Sequence, residues 1–366
     1  MHLFNKTSIL WLIPVALLVM GCAIWNVPFT IFWEIALLAW FTLAPGYALV
    51  RWISTSELTS SQRFALSFAI GMGLTVLVRV FVHQLDALDQ AAATISGLTA
   101  IALIWGYLIK RPKPVSDDRG AEWRALAILA SICASLVLIY NFLGLHYAGE
   151  GALEMRGLFA IDVPYLIGNM PSLDIYGRMH DMHQNGLWFP YHDHVYRAIS
   201  VAHQVGGDYF SLIAYSFPFF GSLCASISLF GLFRLRLDVR NALLTTIAVL
   251  LLASSWGDHI LTGALSPSYL AGIVYACAVI LLTCMMHRAV GKGRRLALWI
   301  LLGLSLAALA KTKLPLFAIG GGAIGVVALR YPLQYTRASI LVLAACLLSL
   351  IFAAMTSGYS SYHPSN

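Results

Sequence analysis

Long apolar runs separated by short polar turns recur along this chain. A run of about 17–25 apolar residues suits a helix that spans bilayer hydrocarbon. We read eleven such runs: 9–25, 28–50, 64–83, 92–109, 122–144, 208–233, 241–256, 267–286, 296–310, 314–329 and 337–354. The pattern predicts an all-α, polytopic transmembrane bundle. One polar interruption is long, residues 145–207, and an unstructured loop of that length is uncommon. Short helices lying along the membrane surface are expected there. Pro164 with Tyr165, Leu166 and Ile167 suits one of them. The run Gly186-Leu187-Trp188-Phe189-Pro190-Tyr191 suits an aromatic belt at the interface.

Charge then orients the bundle. With the N-terminus inside, 17 of the 23 Lys and Arg residues fall in inside segments, among them Arg51, Arg63, Lys110, Arg124, Arg234, Arg240 and Arg295. Ten of the sixteen acids fall outside, including Asp86, Asp89, Asp162 and Asp258. This is the positive-inside asymmetry, and a missed or invented span would scramble it downstream. The net charge of +7 thus belongs to the inside turns and does not indicate a nucleic-acid partner. The richest basic stretch, from Lys110 to Arg124 with Pro112 and Pro114, divides the chain. It leaves a four-helix region at 1–110, a linker at 111–121, a seven-helix region at 122–354 that contains the loop, and an outside tail at 355–366.

Composition agrees with the apolar pattern. The chain is 60% hydrophobic and 11% charged, against about 45–50% and about 25% in soluble domains. Its six cysteines lie in or beside apolar runs, with no disulfide or zinc spacing, and read as small packing residues. Val19-Met20-Gly21-Cys22 is a poor match to a lipidation signal, so an uncleaved first helix is the plainer expectation. No internal repeat is visible. Gly320-Gly321-Gly322 lies inside an apolar run and reads as close helix packing rather than a phosphate loop.

Candidate chemistry gathers in the outside segments. Asp162, in Phe159-Ala160-Ile161-Asp162-Val163-Pro164, is either a helix N-cap or a general base whose apolar neighbours favour proton uptake. Lys311 and Lys313 fall in a short outside turn before Pro315, against the inside bias. They either snorkel to the interface or form an anion site beside a helix N-terminus. His180, His183, His192 and His194, with Asp181 and Asp193, offer ligands for a divalent metal. The same donors and acceptors, with Tyr191 beside them, also suit sugar hydroxyls. Asp258 and His259 form either a solvated turn or a wall of the same cavity as Asp162. Arg79, inside a span, needs a partner, and Glu34 in the neighbouring span is the expected one.

In this order and sidedness the second half resembles the GT-C superfamily of integral-membrane glycosyltransferases, which use polyprenyl-phosphate-linked sugars. The residues that carry the likeness are Asp162-Val163-Pro164-Tyr165 with Phe189-Pro190-Tyr191-His192, then Phe217-Pro218-Phe219-Phe220 through Arg234 and Arg240-Asn241-Ala242-Leu243, then Leu309-Ala310-Lys311-Thr312-Lys313. It covers about residues 122–354. The resemblance implies a bacterial plasma-membrane enzyme with its active face outside. Asp162 would be the catalytic base, and Lys311 or Lys313 a contact to the carrier phosphate. The acceptor would be a hydroxyl of a glycan, lipid or protein. A transporter for a lipid-linked glycan, or a non-catalytic subunit of an envelope-glycan complex, is the alternative expectation.

Overall fold

The computed structural model describes residues 10–53, 58–84, 90–110, 119–139, 167–176, 180–181, 187–188, 193–255, 267–288, 292–312, 316–317 and 320–321. Among the described residues the fold is all-helical apart from one two-residue ladder. Helix α1 spans Leu12–Trp25. Helices α2 (Thr30–Leu38) and α3 (Ala44–Ile53) form one rod through a π-helical segment, Ala39–Leu43. Then follow α4 (Ser60–Gln84), α5 (Gln90–Lys110), α6 (Arg119–Val137) and the short α7 (Pro171–Tyr176). Strands β1 (His180–Asp181) and β2 (Leu187–Trp188) pair antiparallel, His180 opposite Trp188. Helix α8 is Asp193–His203. A second rod joins α9 (Tyr209–Ser211) to α10 (Phe217–Phe233) through the π-helical segment Leu212–Ser216. The last described helices are α11 (Val239–Ser255), α12 (Pro267–Arg288) and α13 (Lys292–Thr312).

Among the described residues five helices are long and apolar enough to cross a membrane: Thr30–Arg51, Ser60–Val82, Gly120–Val137, Tyr209–Phe233 and Pro267–Met285. Four shorter apolar helices accompany them. Together these nine coincide with the first nine expected spans, including the two shortest. The last two expected spans lie outside the described residues, apart from two short helical pieces at 316–317 and 320–321.

Helix α4 is the hub. Its apolar residues face every direction, so a helix of this kind is stable only when surrounded. It packs on α3, α5, α8, α10 and α12. Ala65, Leu66, Phe68, Ala69 and Met72 are fully buried as a result. Its antiparallel crossing with α3 is set by two glycines. A Cβ on Gly46 would stand 1.8 Å from the Ser67 carbonyl oxygen, and one on Gly71 2.0 Å from that of Thr42. This is the small-residue contact by which helices approach closely. The expected glycine contact at Gly320-Gly321-Gly322 is weaker: a Cβ on Gly320 meets Leu309 at 3.3 Å, one on Gly321 meets nothing within 4 Å, and Gly322 lies outside the described residues.

Each π-helical segment is followed by proline two residues past its end, Pro45 and Pro218. Proline lacks the N–H that would serve the carbonyl four residues back. For Pro45 that carbonyl belongs to Phe41, and the Thr75 hydroxyl of α4 donates to it at 2.5 Å. A polar side chain thus replaces a backbone donor where water is excluded.

The start of α4 is fixed by a capping box, Thr59-Ser60-Ser61-Gln62. The Thr59 N–H donates to the Gln62 side chain at 3.1 Å, and the Gln62 N–H returns to Thr59 Oγ1 at 3.4 Å. Glu122 of α6 accepts from the Ser60 and Ser61 N–H groups at 3.2 and 2.9 Å, and from the Ser61 hydroxyl at 2.5 Å. Gln62 Nε2 donates to the Gly231 carbonyl of α10 at 3.1 Å. These contacts tie α4, α6 and α10 at one end of the bundle, opposite the end that carries α8.

Candidate functional site

Helix α8 comes from the long loop, where surface-lying helices were expected. It is instead sunk into the bundle end, packed by α2, α4, α5, α12 and α13. Val195, Tyr196, Ala198, Ile199, Ser200, Val201 and Ala202 are all buried. The physical reason is enclosure: Val195, Ile199 and Ala202 bury an apolar stripe against the neighbouring helices, and on the polar side His194 meets the Tyr275 hydroxyl instead of water.

The helix is stopped by two glycines. Gly206 takes a φ of +100°, the Gly206 N–H donates to the His203 carbonyl at 2.9 Å, and the Gly207 N–H donates to Ala202 at 3.3 Å. That pair of bonds is the Schellman stop. His203 Nδ1 donates to the Gly207 carbonyl at 2.6 Å, and its ring stacks on Tyr209 with centroids 3.6 Å apart. Asp208 then caps α9, its side chain accepting from the Ser211 N–H at 2.9 Å.

Glu34 meets this junction. The carboxylate is buried at 1% exposure in the first turns of α2. It accepts from the Asp208 N–H at 3.1 Å, from the Ser211 hydroxyl at 2.7 Å, and from the Ser216 hydroxyl. A buried carboxylate is tolerated because both oxygens are met and it faces the positive end of α9. The expected pairing with Arg79 does not form. Arg79 Nη2 donates to the Leu173 carbonyl of α7 at 2.8 Å. Both groups sit near helix ends rather than at mid-span, so each finds backbone partners exposed where helices terminate.

His194 is the candidate residue whose contacts are defined. Its Nε2 lies 2.8 Å from the Tyr275 hydroxyl of α12, and both side chains are buried. The rings meet edge to face at 5.4 Å. Gly73 of α4 backs the Tyr275 hydroxyl, a Cβ there standing 3.7 Å away. A His–Tyr pair of this kind can pass a proton or present a hydrogen-bond donor to a hydroxyl-bearing ligand. Lys311 stands half-buried in the last turn of α13, a helix that α8 touches. A cation in that position also opposes the negative end of the helix.

Asp162, His183, Tyr191, His192, Asp258 and Lys313 lie outside the described residues, and of His180 the backbone alone is described. Among the described residues no three His, Cys, Asp or Glu side chains come together as a metal site. Sequence reasoning missed Tyr275, Ser211, Ser216 and Asp208. Asp208 carried a usable signal, an acid three residues before Ser211 at the start of an apolar run. Tyr275 carried none, being one aromatic among many. No protein-family model, no curated protein and no solved structure matches the chain.

Proposed function

We propose that this chain is a membrane glycosyltransferase of the GT-C kind, with eleven spans, its N-terminus inside and its reactive face at the α8 end. It moves a sugar from a polyprenyl-phosphate carrier to an acceptor hydroxyl. Asp162 takes the acceptor proton, the acceptor oxygen attacks the anomeric carbon, and the carrier phosphate leaves toward Lys311 and Lys313. Tyr191, His192, His194 and Asp258 hold the sugar, and a divalent metal on His180 and His183 is an optional part of the site. The observation that supports this reading is the seating of α8. A helix from the polar loop packs on α12 and α13, which holds His194 at the bundle end beside the helix whose last turn carries Lys311.

The test uses membranes containing the full chain and a labelled polyprenyl-phosphate sugar. Asp162→Asn is expected to lower transfer by about 100-fold or more, the usual range for removing a general base. Undiminished transfer removes Asp162 from the mechanism and favours the non-catalytic subunit. Lys311→Ala with Lys313→Ala is expected to raise the donor concentration needed for half-maximal transfer, and an unchanged value rejects the phosphate contact.

A second reading, a transporter for a lipid-linked glycan, is favoured by one observation. Both rods are interrupted by a π-helical segment plus proline, and they meet at the buried Glu34. Interrupted helices around a charged group are a common device of transporters. Glu34→Gln would then abolish flux of the lipid-linked glycan across sealed vesicles. Intact flux in this variant counts against a transport role for Glu34.

A further inference from the structure

The seam between α1 and α6 holds an open groove of about 370 Å³, with Leu10, Ile13 and Leu17 on one wall and Ile128, Ser131 and Ser135 on the other. The two helices run parallel, because Trp11 at the start of α1 meets Trp123 in the first turns of α6. Their rings lie edge to face at 5.9 Å. The groove is apolar in effect. Ser131 donates to the Ala127 carbonyl at 2.9 Å and Ser135 to the Ser131 carbonyl at 3.0 Å, so both hydroxyl protons are spent within α6. Ile13 and Ile128 stay 45% and 39% exposed at its lips. Helix α6 contains a span long and apolar enough for a membrane, and in a bilayer such a seam faces acyl chains.

The groove also has a polar head. Arg124, Ile128, Ser131 and Ser135 recur at helical spacing and form one stripe down α6. Arg124 heads the stripe, beside the tryptophan pair, and is exposed. Its Nε donates to the Gly120 carbonyl at 3.2 Å, which fixes the stem and leaves the two terminal nitrogens of the guanidinium for a ligand. Guanidinium pairs well with phosphate, and tryptophan favours the headgroup level. An open apolar groove of this kind suits a stretch of one acyl chain. We propose that this seam is a binding site for an anionic phospholipid, with one acyl chain in the groove and the phosphate on Arg124. The site is independent of the sugar-transfer reading.

The full chain in detergent, offered phosphatidylglycerol or phosphatidylcholine with matched acyl chains, provides the test by native mass spectrometry. Phosphatidylglycerol is expected to bind about fivefold more tightly, the preference one basic residue gives at a membrane surface. Arg124→Gln, at an exposed position, is expected to erase that preference while leaving phosphatidylcholine unchanged. Ser131→Trp fills the groove and is expected to release both lipids, and Leu17→Trp does so from the facing wall. Equal binding of the two lipids to the unaltered chain overturns the proposal. So does a preference that survives Arg124→Gln, or lipid retention unchanged in a folded tryptophan variant, with folding read from helicity.

Discussion

Glu34 illustrates how a single buried group is held. Its carboxylate serves one backbone N–H and two hydroxyls, all on the segment 208–216. Glu34→Ala strands those donors away from water, and each unsatisfied group costs about 1–3 kcal/mol. A fall in the melting temperature of the detergent-solubilised chain is expected, larger than that of Glu34→Gln, which keeps one acceptor oxygen. Equal melting of the two variants would show that the carboxylate has no capping role. The His194–Tyr275 contact is smaller, a neutral bond worth about 1 kcal/mol. Its value to the site lies in fixing a ring at the bundle end where α8, α12 and α13 meet.

The two rods show what a proline costs inside a membrane helix and how the cost is met. Pro45 leaves the Phe41 carbonyl without its usual donor, and Thr75 of the neighbouring helix supplies one. The two residues should therefore be coupled. Thr75→Val is expected to lower stability by about 1 kcal/mol in the natural chain, and by clearly less in a Pro45→Ala background, where the backbone N–H is restored. Thermal melts of the four proteins of this cycle measure the coupling. Additive effects would mean that Thr75 packs without serving the carbonyl. The coupling also explains why the break in one rod and the glycine crossing with α4 lie so close together. Gly46 and Gly71 bring the backbones near enough for a threonine to reach across.

The molecule as a whole has two distinct ends. One is closed by the capping box at Thr59, Glu122 and the Gly231 carbonyl. The other is filled by α8 and the Glu34 junction. The rod 209–233 joins them with 25 residues, about 37 Å at helical rise, enough to cross bilayer hydrocarbon. The proposed orientation then predicts that exposed positions near opposite ends of this rod label from opposite sides. Val205→Cys should react with an impermeant maleimide from outside, and Asp238→Cys from inside only, in sealed right-side-out vesicles. The described natural cysteines are buried or half-buried and give a low background. Reaction of both positions from one side would reject the proposed topology and with it the proposed outward-facing site.

The helices were legible in the order of apolar residues because in lipid every backbone N–H and carbonyl must be satisfied within its own segment. Helix formation there is a local matter, which one-dimensional pattern can express. The stop of α8 at Gly206 and the cap at Asp208 are local as well, and their residue types state them. Partner choice is different. Glu34 was expected to meet Arg79 because opposite charges attract, yet it caps α9, while Arg79 donates to the Leu173 carbonyl. Likewise α8 looked like a surface helix by its place in a polar loop and became a buried one through the shape of the space between α2, α4, α12 and α13. Such contacts join groups up to about 180 residues apart, as Glu34 and Ser216 are. They depend on which helix ends come together when the bundle packs, a property of the assembled volume and of no local stretch of chain.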